Sequence, residues 1–273
     1  MIKKTVALLS AITFFVLFSI PAQAQFGKKL GKSLEKAAKG AGDAVVAVAG
    51  DAATDIAANK VSDKIIDFMD QNNKIADPSS EYYKRLAALV GTKYVSVDGL
   101  SLTYQVYETE EANILALTNG NIRVYSGMMD LLSDDELTAA IAIQIGHIVN
   151  KDVRNALTKV ASEDNATTAA TAQLEKMLSF SGDKLGSIIN ELIQVPYSED
   201  QNKAADSYAY ALLEKQGSNV SGLTSLLDKL GTLEESDKVA MESESEEAEL
   251  SPAAKYIGVN ANNSTRASLM RSK

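Results

Sequence analysis

Between Lys93 and Tyr125 the apolar residues of this chain recur with a period of two, and on both sides of that window they recur at three- and four-residue spacing. Period two is the repeat of a strand with one covered face, and the longer repeat is that of an amphipathic helix. Helices, then short strands, then helices again call for an α+β fold, with a small sheet packed on helices. The expected strands are Tyr94–Val97, Leu102–Tyr107, Ile114–Leu117 and Ile122–Tyr125. Asp98-Gly99 and Asn119-Gly120 separate the members of each pair. Both dipeptides favour tight turns because their residues tolerate positive φ, so a mainly antiparallel sheet of three or four strands is expected.

Helix signals frame this window. Residues 25–78 form an Ala-rich segment with amphipathic stretches such as Val61–Phe68, and residues 79–273 hold the main domain. Ser133-Asp-Asp-Glu136 has the spacing of a capping box and opens the apolar run Leu137–Val149. Further helices are expected near 168–178, 183–194 and 207–214. Residues 233–250 carry eight acids and one lysine, a composition that reads as a solvated loop or disordered segment.

Composition removes whole classes of chemistry. The chain of 273 residues has no cysteine and one histidine, His147. Disulfides, thiol catalysis and any site with two imidazoles are therefore excluded. A formal charge of -9 argues against nucleic acid as a partner. At the start, Met1-Ile2-Lys3-Lys4 precedes an apolar run ending in Pro21-Ala22-Gln23-Ala24, the pattern of a signal peptide over 1–24. Cleavage after Ala24 removes two lysines and leaves 25 basic against 36 acidic residues, a net charge of -11. The mature chain is expected to be periplasmic or secreted, in a bacterial envelope. Retention of the segment as a membrane anchor is the other reading.

The stretch Glu111–Tyr125, the Gly127-Met-Met-Asp130 step and Asp135-Glu136-Leu137 leading to His147 resemble, in order and spacing, the zinc metallopeptidases of peptidase family M48, a branch of the gluzincins. The resemblance covers roughly Tyr82 to Arg266 and implies a zincin-like fold. Family members carry H-E-x-x-H, in which two histidines one helical turn apart bind zinc and the glutamate serves as general base. Aligned on His147, this sequence has Ile143 at the first ligand and Gln144 at the base. The family's third ligand opens an E-x-x-x-D pattern; Asp206 matches its aspartate, which puts Asn202 at the ligand. A downstream H-P followed by arginine reads here Asn260-Ala261, with Arg266 kept.

Isoleucine has no donor atom, and neutral amides are weak zinc ligands that take up no proton near neutral pH. No catalytic residue, metal ligand set or cofactor is therefore expected, and the resemblance implies a pseudopeptidase. It is expected to bind an extended peptide or envelope protein, including an active paralogous protease, along the edge strand Asn113, Ile114, Leu115, Ala116 and Leu117. Two alternatives stand beside it. One is an active zinc endopeptidase with substitute ligands, drawn from His147, Asp152, Glu199, Asp200 and Asp206. The other is an envelope structural protein acting through residues 26–75, which have the amphipathic character of a membrane-surface contact. Without a metal, His147 is expected to be a buried helix residue bonded to Asp206 or Asn202, and Asp206 a partner for Arg266.

Overall fold

The computed structural model describes residues 28–162, 169–242 and 249–273, with side chains from Gly50 onward. The signal-peptide segment lies outside the described residues. Helix α1 (Lys28–Asn72) is followed by α2 (Glu81–Val90) and five short strands: β1 (Ser96–Val97), β2 (Leu100–Ser101), β3 (Thr103–Tyr107), β4 (Ile114–Ala116) and β5 (Asn121–Tyr125). The remaining helices are α3 (Ser126–Leu131), α4 (Asp134–Val149), α5 (Asp152–Ala161), α6 (Ala170–Met177), α7 (Gly182–Leu192), α8 (Glu199–Lys215), α9 (Ser221–Glu242), α10 (Ala254–Val259) and α11 (Asn263–Arg271). The α+β class stands. No described helix is long and apolar enough to cross a membrane.

The Asp98-Gly99 hairpin forms, but it is tiny: β1 and β2 pair antiparallel over two residues each. β3 does not extend it. It joins a separate three-stranded sheet of order β3-β5-β4, in which β4–β5 is antiparallel and β3–β5 is parallel over five residue pairs. Two of the three pairings are thus antiparallel, and the longest is parallel. The reason is geometric. The Asn119-Gly120 turn folds β5 back beside β4, so a strand on the other side of β5 that runs opposite to β4 runs parallel to β5. Gly120 takes φ +83°, and a Cβ there would meet the Ser101 carbonyl oxygen at 2.1 Å.

Alternation along the strands serves two cores. Val106, Ile114, Ala116, Ile122 and Val124 face the core built around α4. Tyr107, Leu115 and Tyr125 face the other way, onto the α1 stripe Ala57, Val61, Ile65 and Met69 and residues of α5, α6 and α7. This stripe explains why the compact unit runs Gly50–Lys273 rather than from residue 79. Asp70 fixes it further, accepting from Arg123 Nε and Nη2 at 2.9 and 2.8 Å and from the Tyr107 hydroxyl at 2.6 Å.

The capping box on α4 is present, with the Ser133 N–H donating to Glu136 at 2.8 Å. Every α4 residue from Glu136 to Ile148 is buried except Thr138, as expected of a helix apolar on all faces. The expected loop at 233–250 is corrected as far as Glu242, where α9 ends. Its acids are used rather than merely solvated. Glu234 accepts from the backbone N–H groups of Asn262 and Asn263 at 3.1 and 3.0 Å, and Asp237 from the N–H and hydroxyl of Ser251 at 2.7 and 2.8 Å.

Candidate functional site

The residues singled out above converge where α4, α8 and the 256–266 region meet. On α8, Asn202, Ala205, Asp206 and Ala209 are buried, the i, i+3, i+4, i+7 pattern of a covered face. α8 lies close against α4 because Gly146 has no side chain: a Cβ there would stand 2.8 Å from the Ala205 carbonyl oxygen. His147, beside that contact, is fully buried.

The imidazole is held on two sides. Its Nδ1–H donates to Asp152 Oδ2 at 2.9 Å. This corrects the expected partner, Asp206 or Asn202. Lys151, at φ 63°, reverses the chain between α4 and α5 and swings Asp152 back onto His147. The second carboxylate oxygen of Asp152 accepts from Gln201 Nε2 at 2.9 Å, and Gln201 Oε1 in turn accepts the Ser198 N–H in the α8 capping box. On its other side the ring stacks on Tyr197, with centroids 3.9 Å apart and planes at 14°. Burial holds the imidazole below its ordinary value of 6.5, against the opposing pull of Asp152. The Nδ1 side of the ring is thus taken up by Asp152, and Nε2 has no hydrogen-bond partner among the described residues.

Asp206 and Arg266 form a fully buried bidentate pair, with Nε to Oδ2 at 2.8 Å and Nη2 to Oδ1 at 2.7 Å. The same guanidinium donates to the Asn260 carbonyl at 2.6 Å and to Asn263 Oδ1 at 3.1 Å. Gln144 donates to the Tyr256 hydroxyl at 3.3 Å, and Asn260 Nδ2 to the Tyr256 carbonyl at 2.9 Å. Ile143 is buried in the core around α4. Among the described residues no three of His, Cys, Asp and Glu gather where a metal could be held. Glu199 instead pairs with Lys203 at 2.7 Å on the surface, and Asp200 is exposed.

The donor set does not fit the family's zinc. Ile143 offers carbon, Asn202 and Asn260 offer neutral amides, and His147 is the one imidazole. Three buried side-chain atoms of this region have no hydrogen-bond partner among the described residues: His147 Nε2, Asn202 Oδ1 and Asn260 Oδ1. Gln144 is an amide already committed to Tyr256, so it can neither take nor return a proton as a general base does.

Beside these groups runs β4, an end strand of its sheet. Tyr125 N–H donates to the Asn113 carbonyl and Leu117 N–H to the Asn121 carbonyl. In an antiparallel ladder residues 113, 115 and 117 then face β5, and the backbone groups of Ile114 and Ala116 point away from the sheet. Asn113 Oδ1 covers the Ile114 N–H at 2.8 Å. The space they face is a cavity of about 40 Å³ whose lining includes Ile114, Ala116, Gln144, Tyr197, Tyr256 and Asn260. Tyr197 and Tyr256 were not singled out by the sequence. The usable signal was Ser198-x-x-Gln201, a capping box that places Tyr197 immediately before α8.

A comparison with family models matches Peptidase family M48 over residues 81–266. Metalloprotease LoiP of Escherichia coli (strain K12) is 34% identical over 189 residues, covering 69% of this chain and 75% of that protein. Metalloprotease YcaL of the same organism is 32% identical over 172 residues, covering 61% of this chain and 65% of that protein.

Proposed function

This chain belongs to peptidase family M48, and from that premise we propose that it is an exported, non-catalytic member that holds extended peptide segments of envelope proteins. The observation that carries the reading is the end strand β4. Ile114 and Ala116, whose backbone groups point away from β5, line a cavity together with Gln144, which stands where the resemblance places a general base, and Asn260. Asn113 Oδ1 takes the Ile114 N–H and the β4 side chains are buried, so an extended peptide would add as a further strand along the remaining outward backbone groups of this edge. The other occupants of that reading are an active paralogous protease and unfolded envelope proteins, both of which present such segments.

The proposal is tested with fluorescein-labelled casein as an unfolded probe, following polarisation and cleavage in one sample. Binding without cleavage, weakened by Ala116→Pro, is expected. That substitution removes the outward N–H while leaving the β4–β5 ladder bonds in place, as proline is tolerated on the open side of an edge strand. Cleavage abolished by a chelator would sink the reading.

One observation favours a second reading, a zinc endopeptidase with atypical ligands. His147 retains the carboxylate partner on Nδ1 that orients metal-bound histidines. Zinc content after metal loading decides between the two.

A further inference from the structure

The structure divides the Ala-rich segment near the head of the chain. From Gly50 onward α1 belongs to the compact unit. Its stripe Ala57, Val61, Ile65 and Met69 is buried there with residues of the sheet and of α5, α6 and α7. Of the stretch 26–75, whose amphipathic character suggests a membrane-surface contact, this half has its apolar face already covered. Residues 28–49 belong to the same helix but to a separate unit, and they carry a pattern of their own.

Leu30, Leu34, Ala37, Ala41, Val45 and Val48 recur at the i, i+4, i+7 spacing of one helix face. Lys28, Lys29, Lys32, Lys36 and Lys39 fall within an arc of about 100° on the opposite face of the same helix. Charge is equally uneven along the sequence. Residues 25–42 carry five lysines and one acid, whereas 43–273 carry 20 basic and 35 acidic residues. Gly31, Gly40 and Gly42 are poor helix formers, so this half of α1 depends on what its apolar face is buried against.

We infer that residues 28–49 are a docking helix for an anionic lipid surface, lying in the headgroup layer with the apolar face toward the acyl chains. Charge complementarity selects that occupant. An acidic protein would take up the lysines and leave the apolar face in water. The lipid boundary takes both faces at once, with the lysine stems lying along it and the ammonium groups among the phosphates. No described helix is long and apolar enough to cross a membrane, and this pattern is that of a helix lying on one. Alanine and valine make most of the apolar face. Insertion is therefore shallow, the lysines supply much of the attraction, and salt weakens it. This inference does not rest on the reading of β4 as a peptide-binding edge.

The test uses the chain from Gln25, the form expected after cleavage at Ala24, so that the signal run adds no lipid affinity of its own. Its co-sedimentation with phosphatidylglycerol vesicles is compared with that on phosphatidylcholine vesicles. Binding at least about tenfold tighter to phosphatidylglycerol, and weakened as salt is raised, is expected. Lys28→Gln with Lys32→Gln is expected to weaken binding about tenfold or more, and Leu30→Asp with Leu34→Asp to abolish it. Neither pair lies in the compact unit, so both variants are expected to keep the urea midpoint of the parent chain. Equal binding to the two lipids overturns the inference, and so does binding that the leucine substitutions leave intact. Absence of vesicle binding, with self-association that Leu30→Asp abolishes, also overturns it and makes a second copy the occupant. Casein binding, measured without lipid, judges the β4 edge separately.

Discussion

Arg266 makes four hydrogen bonds inside the protein, two to Asp206 and one each to Asn260 and Asn263. Removing one partner of such a buried pair leaves an uncompensated charge, whereas replacing both with apolar groups of similar size is far milder. Arg266→Met is therefore expected to lower stability by about 3–5 kcal/mol in urea denaturation, and Asp206→Leu in the same chain to recover much of that loss. Gly146 is a second sensitive position, for a steric reason. A methyl group there would stand 2.8 Å from the Ala205 carbonyl oxygen, where the obstacle is backbone that cannot swing aside. Gly146→Ala is expected to cost about 1–3 kcal/mol, measured the same way. Among single residues much was legible in the sequence. The resemblance to the family picks out Ile143, Gln144, His147, Asn202, Asp206, Asn260 and Arg266, and the structure places all but Ile143 among its buried polar residues. The Asp152 partner of His147 was not legible, because it depends on a left-handed Lys151 that no local pattern announces.

Elements are joined by buried acids more than the composition suggests. Glu136 caps α4 and also accepts from Lys229 and Ser225 of α9, both at 2.6 Å. Burial pushes its carboxyl up, but Lys229, Ser225 and the Ser133 N–H outweigh burial and hold it at about 2 against an ordinary 4.5. A carboxyl depressed in the folded state contributes stability that is complete above pH 4.5 and is lost as the pH falls toward 2. Glu136→Gln is expected to lower stability at neutral pH and to flatten the acid limb of a stability-versus-pH curve measured by urea denaturation. An unchanged acid limb would contradict the assignment. The same use of acids explains why 233–242 is helix. Average charge reads as solvent exposure, but Glu234 and Asp237 satisfy backbone N–H groups of the segments that follow. Strand existence and both tight turns were legible from period and dipeptides. The parallel β3–β5 pairing was not, since it depends on which strand takes the middle of the sheet.

For the whole molecule, the two-core arrangement puts the compact unit's start at Gly50. The α1 stripe is visible in the sequence as helical periodicity. That it covers the second face of the sheet is a long-range fact that periodicity does not carry. Both cores and the buried Asp206–Arg266 pair belong to an M48 chain, in which Ile143 and Asn202 replace donors at the positions that the resemblance assigns to metal ligands. Zinc content of the purified chain, by mass spectrometry after zinc loading and desalting, tests that replacement. Zinc far below one per chain is the expected result. About one tightly held zinc per chain, lost on His147→Ala, would contradict it and establish a metal centre with substitute ligands.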